Sequence, residues 1–511
     1  MKLATRISNA IKAFSGSPSV SGQRFYGGAA LNRITNDWLT LTTSADAEAR
    51  GDVVKLRARC RQLERDDPYT QRYLKLIENN VLGSTGIKLQ MKIRDPNQTF
   101  DRVANNKIEE AWLKWCEKAN CGVTGQLTLH EISRIVLRAA ARDGGILLRK
   151  VRGFNNPFKF AIQILEIDFL DVYYNIPISQ NGNEIRMGVE LNEWKKPVAY
   201  WLWTRHPGDY YANGGFKRER IPAEELLHIY RPDRTLQTVG VPWLAPSMFR
   251  LKMLEGMEEA ALVAYRAAAC QGGWFKKQNP EGFVGTDQGD GSVEREAEPG
   301  MWTELPVGVE PIQNNPQYPG TSYSEYVKSA LRGVSSGLGV SYNSLANDLE
   351  GVNYSSIRAG VLEDREEFKQ IQNWMVDSFF RPIFREWLQM AILSGQIQLP
   401  FTKLDKFTAD TWVPRRWGWV DPMKDVQAKI LAIDNLLESR RSTIAETGDD
   451  IEDIFEELKE DAALQTEYGL EIVRPNQPQA AAEPDGDEED PAEEADEPDE
   501  MPPGKLTSPG L

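Results

Sequence analysis

Four cysteines and three histidines in 511 residues leave little material for metal or thiol chemistry. Cys60, Cys116, Cys121 and Cys270 form no C-x-x-C pair and no regular ladder, so they read as reduced thiols rather than a disulfide frame. His130, His206 and His228 are scattered along the chain and read as core or turn residues, because a zinc site needs closer partners. No run of about 18 apolar residues occurs, so no membrane-spanning helix is expected and stable membrane insertion is not. The first residues, "MKLATRISNAIKAFSG", are basic and weakly amphipathic but lack the apolar stretch of a secretory signal. An arm packed on a neighbour, or an unordered one, is the first reading of them; a membrane-surface helix over residues 2–14 is the rival.

Motifs for group transfer are missing too. There is no phosphate loop, no dinucleotide fingerprint after a strand, no G-x-S-x-G and no H-E-x-x-H. "GVSSGLGVS" is glycine-rich but carries no lysine for a phosphate, so its glycines read as turn and hinge positions. On this reading the protein is not an enzyme: it has no catalytic residue, no cofactor-binding residue and no metal ligand, and it needs no cofactor.

A basic excess is also lacking. The formal charge is −15, and the tail "EPDGDEEDPAEEADEPDE" holds twelve acids without a base, so the rest of the chain stands near −3. Such a tail buries too little apolar surface to order itself. A near-neutral body argues against sequence-specific DNA binding, which rests on phosphate neutralisation.

What is present is helical and strand periodicity in blocks. A helix is expected over 51–82, interrupted at Asp67-Pro68, since the residue before a proline is biased away from the helical region. Further helices are expected over 103–120 and 127–142, the second closed by a glycine of "RDGG". "ILLRKVR", "FKFAIQILEIDFLDV" and "IRMGVELNEWKKPVAYWLWTR" alternate as strands, which makes an α+β body. Helices follow over 246–270 and 323–335, separated by a Gly- and Pro-rich lobe. Then comes "SLANDLEGVNYSSIRAG", polar and turn-like, leading into a long helix over 356–393. Along that spine Ile357, Val361, Phe368, Ile371, Trp374, Met375 and Phe379 are expected to pack, with a kink or break at Pro382. Asp421 and Pro422 suit the start of another helix, and a short helix near 449–459 closes the ordered part.

Three constellations bear on function. Glu166 and Asp168 alternate onto one strand face and could hold a divalent cation, which motivates a carboxylate-metal nuclease as a rival; a surface edge is the preferred reading. Trp412, Arg415, Arg416, Trp417 and Trp419 interleave indoles with guanidinium groups, which suits a subunit interface better than nucleic acid. His228 and Arg231 stand close in "ELLHIYRP" and read as a local structural network.

The segment "GLGVSYNSLANDLEGVNYSSIRAGVLEDREEFKQIQNWMV" resembles the lambda-type family of tailed-phage portal proteins. So do "LIENNVLGSTGIKLQ", "RDGGILLRK", "LEIDFLD", "IPAEELLHIYRPDRTLQTVGVPWLAPSM" and "WGWVDPMKDVQAKI", in collinear order over about residues 20–460. Thr238 departs from the resemblance, standing where the family commonly has arginine. The resemblance implies a multi-lobed subunit with wing, stem, clip and crown, assembling as a ring of usually about twelve copies at one capsid vertex. Its implied segments are 1–50, an N-terminal arm; 51–245, the wing body; 246–272 and 323–338, stem helices; and 273–322, the clip. Then follow 339–355, the channel loop; 356–398, the spine; 399–420, a wing return; 421–465, crown helices; and 466–511, the acidic tail. Double-stranded DNA would pass non-specifically, with Asn343, Ser344, Asn347, Asp348, Glu350 and Asn353 facing it as a polar loop without an anchoring cation. Implied partners are further copies of the chain, the large terminase ATPase, major capsid and scaffold proteins, and head-completion or tail connector proteins. The implied location is the portal vertex of the virion. Another ring or connector protein of the virion is the alternative.

Overall fold

The computed structural model describes residues 42–469 apart from residues 98, 179–180, 210–216, 271–273, 278–285, 288–292, 295–308, 313–322, 351–353, 418–421 and 446–450. Most of the N-terminal arm, most of the clip and nearly all of the acidic tail therefore lie outside the described residues; the end of the expected arm, from Ala45, is already helix. The chain divides into two compact units, Met1–Trp417 and Gly418–Leu511.

The first unit opens with α1 (Ala45–Asp66) and α2 (Pro68–Ile77), which runs on through a π turn at Glu78–Leu82. The break between α1 and α2 sits at the aspartate–proline pair. The Asp67 carboxylate accepts from the Thr70 N–H at 2.6 Å, and Pro68 starts the new helix where its missing N–H costs nothing. Strand β1 (Lys88–Met91) leads to α3 (Arg102–Trp115), and α4 (Leu129–Asp143) follows. Thr128 and Glu131 close a reciprocal capping box on α4, and Gly144 ends it at φ 82°. A Cβ on Gly144 would lie 2.6 Å from the Gly240 carbonyl oxygen, so these two backbones touch only because both residues are glycine.

Strands β2 (Ile146–Arg152) and β3 (Phe160–Glu166) pair antiparallel along their full lengths. After β3 come β4 (Glu184–Arg186), β5 (Val189–Leu191), β6 (Pro197–Trp203) and β7 (Arg218–Pro222), which form a four-stranded antiparallel meander. Strand β8 (Leu226–Ile229) adds to the other edge of β2. Thr238, in the loop beyond β8, gives both its N–H and its hydroxyl to the Asp46 carboxylate, at 2.8 and 2.6 Å.

Helix α5 (Met248–Cys270) is two-faced: Leu251, Leu254 and Ala261 are buried, while Phe249, Met253 and Val263 on the other side are exposed. Four short strands, β9 (Trp274–Lys277), β10 (Thr286–Asp287), β11 (Val293–Glu294) and β12 (Val309–Ile312), pair as β9 with β12 and β10 with β11. Then come α6 (Tyr323–Leu338), the short α7 (Tyr342–Ala346) and the spine: α8 (Tyr354–Met375), a π turn at Val376–Phe380 and α9 (Arg381–Leu393).

Of the kink or break expected at Pro382, the chain shows no break; the regular ladder is instead interrupted by the π turn just before it. The Arg381 N–H bonds the Val376 carbonyl, five residues back, and Pro382 enters at the start of α9. Widening that turn accommodates a residue that can neither donate its own bond nor tolerate a tight carbonyl, so the helix continues.

The spine is fixed by its apolar stripe. Phe368, Ile371, Met375 and Phe379 are buried, Val361 and Trp374 are half-buried, and the Ile357 side chain lies outside the described residues. Trp374 meets Trp243 with ring centroids 5.8 Å apart. Further along, Phe384 and Trp387 enter an aromatic cluster with Trp112, Trp115 and Trp412, whose rings approach Trp112 at 4.9–5.9 Å or one another in the same range. Strand β13 (Asp410–Val413) returns from 300 residues away to pair with β1, setting Trp412 opposite Leu89.

In the second unit, α10 (Pro422–Asp434), α11 (Arg440–Ala445) and α12 (Ile451–Glu467) follow. Asp421 lies outside the described residues. Within this unit Met423, Val426, Ile430 and Leu437 are exposed.

Removing an aromatic ring from the shared core leaves a void that helices locked by their neighbours cannot close. Phe368→Ala or Trp387→Ala is expected to cost about 3–5 kcal/mol of unfolding free energy, read by denaturant titration. A loss below about 1 kcal/mol would contradict this packing account.

Candidate functional site

The polar stretch between α6 and α8 has two halves of different character. In the first, Asp364, one face of α8, is buried and accepts three hydrogen bonds: from the Ser341 N–H and hydroxyl at 2.7 Å each and from the Ser344 hydroxyl at 2.8 Å. Arg72 Nε bonds the Ser344 carbonyl at 3.1 Å, and Leu345 is buried beneath. A buried carboxylate with its lone pairs filled by three donors is a firm anchor. Asn343 and Ser344 are half-buried here rather than free.

Asn347 then turns the chain through the left-handed region at φ 53°, a conformation asparagine tolerates better than most residues. Beyond it the contacts thin out. Asp348 accepts from the Tyr342 hydroxyl at 2.8 Å and from the Glu350 N–H at 3.0 Å. Lys328 Nζ, from α6, stands 3.2 Å from Asp348 and 3.7 Å from Glu350. Glu350 is 88 % exposed. The loop itself carries no cation; the one it meets, Lys328, comes from α6 and is brought there by the fold. The Tyr342 hydroxyl, with the Glu350 N–H and Lys328 behind it, holds the Asp348 carboxyl below its ordinary range. Burial, helped by the same acid, pushes Tyr342 up to about 12. Asn353 lies outside the described residues.

The indole and guanidinium run is used differently from the subunit interface expected of it. Trp412 is buried in the chain's own core, with its Nε1 donating to Asp410 at 2.7 Å. Trp417 Nε1 donates to Asn80 Oδ1 at 3.0 Å and its ring faces Phe368. Arg415 lies against Gly83 and bonds the Asn79 carbonyl, while Gln372 Nε2 caps the carbonyls of Asn80, Val81 and Arg415 at 3.1–3.2 Å. These contacts staple residues 410–417 to the π turn after α2. Arg416 is exposed, and Trp419 lies outside the described residues.

Glu166 and Asp168 do not share a strand face, because β3 ends at Glu166 and Ile167–Phe169 is a 3-10 turn. That turn still brings them together, and His206 joins from the end of β6: its Nε2 lies 3.2 Å from Glu166 and 4.0 Å from Asp168. Spacing alone would let the three share a cation, their ligand atoms lying within 4.8 Å of one another. Two features weigh against that use. Arg61 already bridges Asp168 and Asp143, the latter at 2.8 Å. His206 Nδ1 accepts from the Gly208 N–H at 3.1 Å, which in the neutral ring puts the proton on Nε2, facing the carboxylates. The ion pairs of this cluster are those of Arg61 with Asp143 and Asp168, and His206 packs beside them.

His228 and Arg231 do not pair. Arg231 binds Glu367 at 2.8 Å and covers Trp243, whereas the His228 ring lies between Tyr230 and Tyr200 with both nitrogens shielded and unpartnered. Burial, with Arg57 nearby, drives its pKa down to about 3. Lys328, Tyr342, Asp364 and Arg72 escape sequence reasoning. None lies within a turn of its partner along a helix, and no motif links them.

The family model described as phage portal protein, lambda family, matches residues 31–372. The "Probable portal protein" of Halomonas phage phiHAP-1 is 33 % identical over 443 residues, covering 85 % of each chain. Portal protein B of Escherichia phage lambda is 22 % identical over 468 residues, covering 84 % of this chain and 87 % of that one. Among solved structures, the neck of a native GTA particle computed with C12 symmetry aligns with a TM-score of 0.42 at 13 % identity, over 78 % of this chain and 93 % of that one.

A buried neutral histidine makes folding pH-dependent. The unfolded chain takes up a proton near its ordinary 6.5, whereas folded His228 refuses one until about pH 3, so stability is lost as pH falls through that window. The slope is at most about 1.4 kcal/mol per pH unit. Denaturant titrations between about pH 7 and 4 should show it, with a smaller slope in His228→Phe; equal slopes in both proteins would contradict the assignment.

Proposed function

The chain belongs to the lambda family of phage portal proteins, and from that premise we propose that it closes with further copies of itself into a ring whose bore carries double-stranded viral DNA during packaging and ejection. It is a portal protein of a phage particle, serving at the capsid vertex, and its family is a structural one. The collinear match over most of the chain carries this reading. About twelve copies are proposed per ring.

The physical features of the chain support it. Neighbours in a closed ring meet through two different faces, so each subunit needs an apolar surface left uncovered in the single chain. The outer face of α5, with Phe249, Met253 and Val263, offers one. In this reading α5 and α6 form the stem, residues 273–322 the clip, the wing body and spine the rim, and the second unit the crown. Residues 343–353 face the DNA.

A bore through which DNA slides must not bind it, since each lysine bound to a phosphate releases counterions and adds affinity. The exposed Glu350 and the partly covered Asp348, with polar neighbours, are a lining of that kind. Without a phosphate loop in the chain, the driving force is assigned to a docked terminase ATPase. Capsid or scaffold proteins and later head-completion or tail proteins complete the proposed partners. The indoles of 412–417 are withdrawn from the proposed contact surface because the chain packs them itself, leaving Arg415 and Arg416 as the exposed candidates there.

The test reverses the charge of the lining. Rings carrying Asp348→Lys and Glu350→Lys should assemble normally but package or retain DNA at least about tenfold less well, as added phosphate contacts brake sliding. Wild-type packaging and retention by such rings would contradict the assignment of this segment to the bore.

A further inference from the structure

We propose that Lys328 is a positioning residue of the channel: together with Tyr342 it draws Asp348 and Glu350 back against α6, making residues 348–350 a latched stretch on a fixed root. The description of the bore rests on the function proposed above; the latch itself does not.

The contrast between the two halves carries the argument. Residues 341–346 are rooted by a buried carboxylate with three short bonds, by Arg72 and by the buried Leu345. Residues 348–350 are held by one ammonium group and one phenol. The Lys328 side chain is 34 % exposed and Glu350 is 88 % exposed. Ion pairs so open to water are weak and exchange readily, whereas bonds to a buried carboxylate do not. Asn347, at its left-handed φ, marks the change from one regime to the other.

One lysine between two acids also sets the charge that this part of the chain presents. Latched, the three groups sum to a single negative charge, drawn toward α6. Unlatched, both acids are free to extend and Lys328 is left to meet any passing anion. A phosphate of the DNA backbone is an anion of the right kind to compete for it. Arg332, whose guanidinium lies 5.4 Å above the Tyr342 ring, adds a second cation near the hinge without touching either acid.

Hydrogen exchange of the purified full-length protein reads the latch without involving DNA. In Lys328→Ala, amides of residues 347–350 should exchange roughly two- to fivefold faster while those of 341–346 stay unchanged. Lys328→Arg, which keeps the charge, should stay close to wild type. Unchanged exchange at 347–350, or equal acceleration throughout α6 and 341–346, would overturn the latch, the second by showing a merely structural role. Packaging by the same rings forms the second arm. Lys328→Ala should alter DNA passage, and adding Asp348→Asn and Glu350→Gln should restore it. Altered exchange with wild-type passage would leave the latch standing and remove its role in the bore, so the two failures are told apart.

Discussion

The structure depends most on one buried carboxylate. Asp364 lies on the spine helix and gathers the backbone and hydroxyl of Ser341 and the hydroxyl of Ser344, so a polar, turn-rich stretch gains a rigid root. A carboxylate taken out of water needs hydrogen-bond donors, and that stretch supplies three of them. The spine in turn is immobilised by Phe368, Ile371, Met375 and Phe379 and by the aromatic cluster around Trp112 and Trp387. Rigidity thus passes from core to helix to carboxylate to loop root, and it ends at Asn347.

A second arrangement complements the first. The body buries a large aromatic core of its own, yet α5 keeps large apolar side chains in water on one face. An uncovered stripe on a helix whose other face is packed is the form an assembly surface takes. Membership of a family of portal proteins gives that surface a purpose in the proposed ring, with neighbouring copies as its cover.

Local grammar was legible in the sequence. The Asp67-Pro68 break, the glycine stop after α4 and the spine's apolar period each obey rules that act within a few residues. Contacts closed by the tertiary fold were not. Trp412 looks like a surface anchor until β13 is seen to pair with β1, more than 300 residues away in sequence. Lys328 cannot be joined to Asp348, nor His206 to Glu166, by any periodicity, since the turns that unite them are set by the packing of separate elements. Pro382 marked the place of an irregularity but not its form: a π turn relaxes the ladder ahead of it, so the helix runs on without a break. The family resemblance carried what local rules could not, by aligning distant segments at once.

Everything functional here requires many copies around one axis with the stretch after α6 turned inward. Electron microscopy of the purified full-length chain, viewed along the symmetry axis and resolved to side chains, measures this directly. The account predicts a closed ring with Asp348 and Glu350 of every copy at the rim of the central opening and the outer face of α5 covered by a neighbour. A monomer under native conditions, or a ring whose opening is lined by other residues while 343–350 is buried between copies, would contradict it.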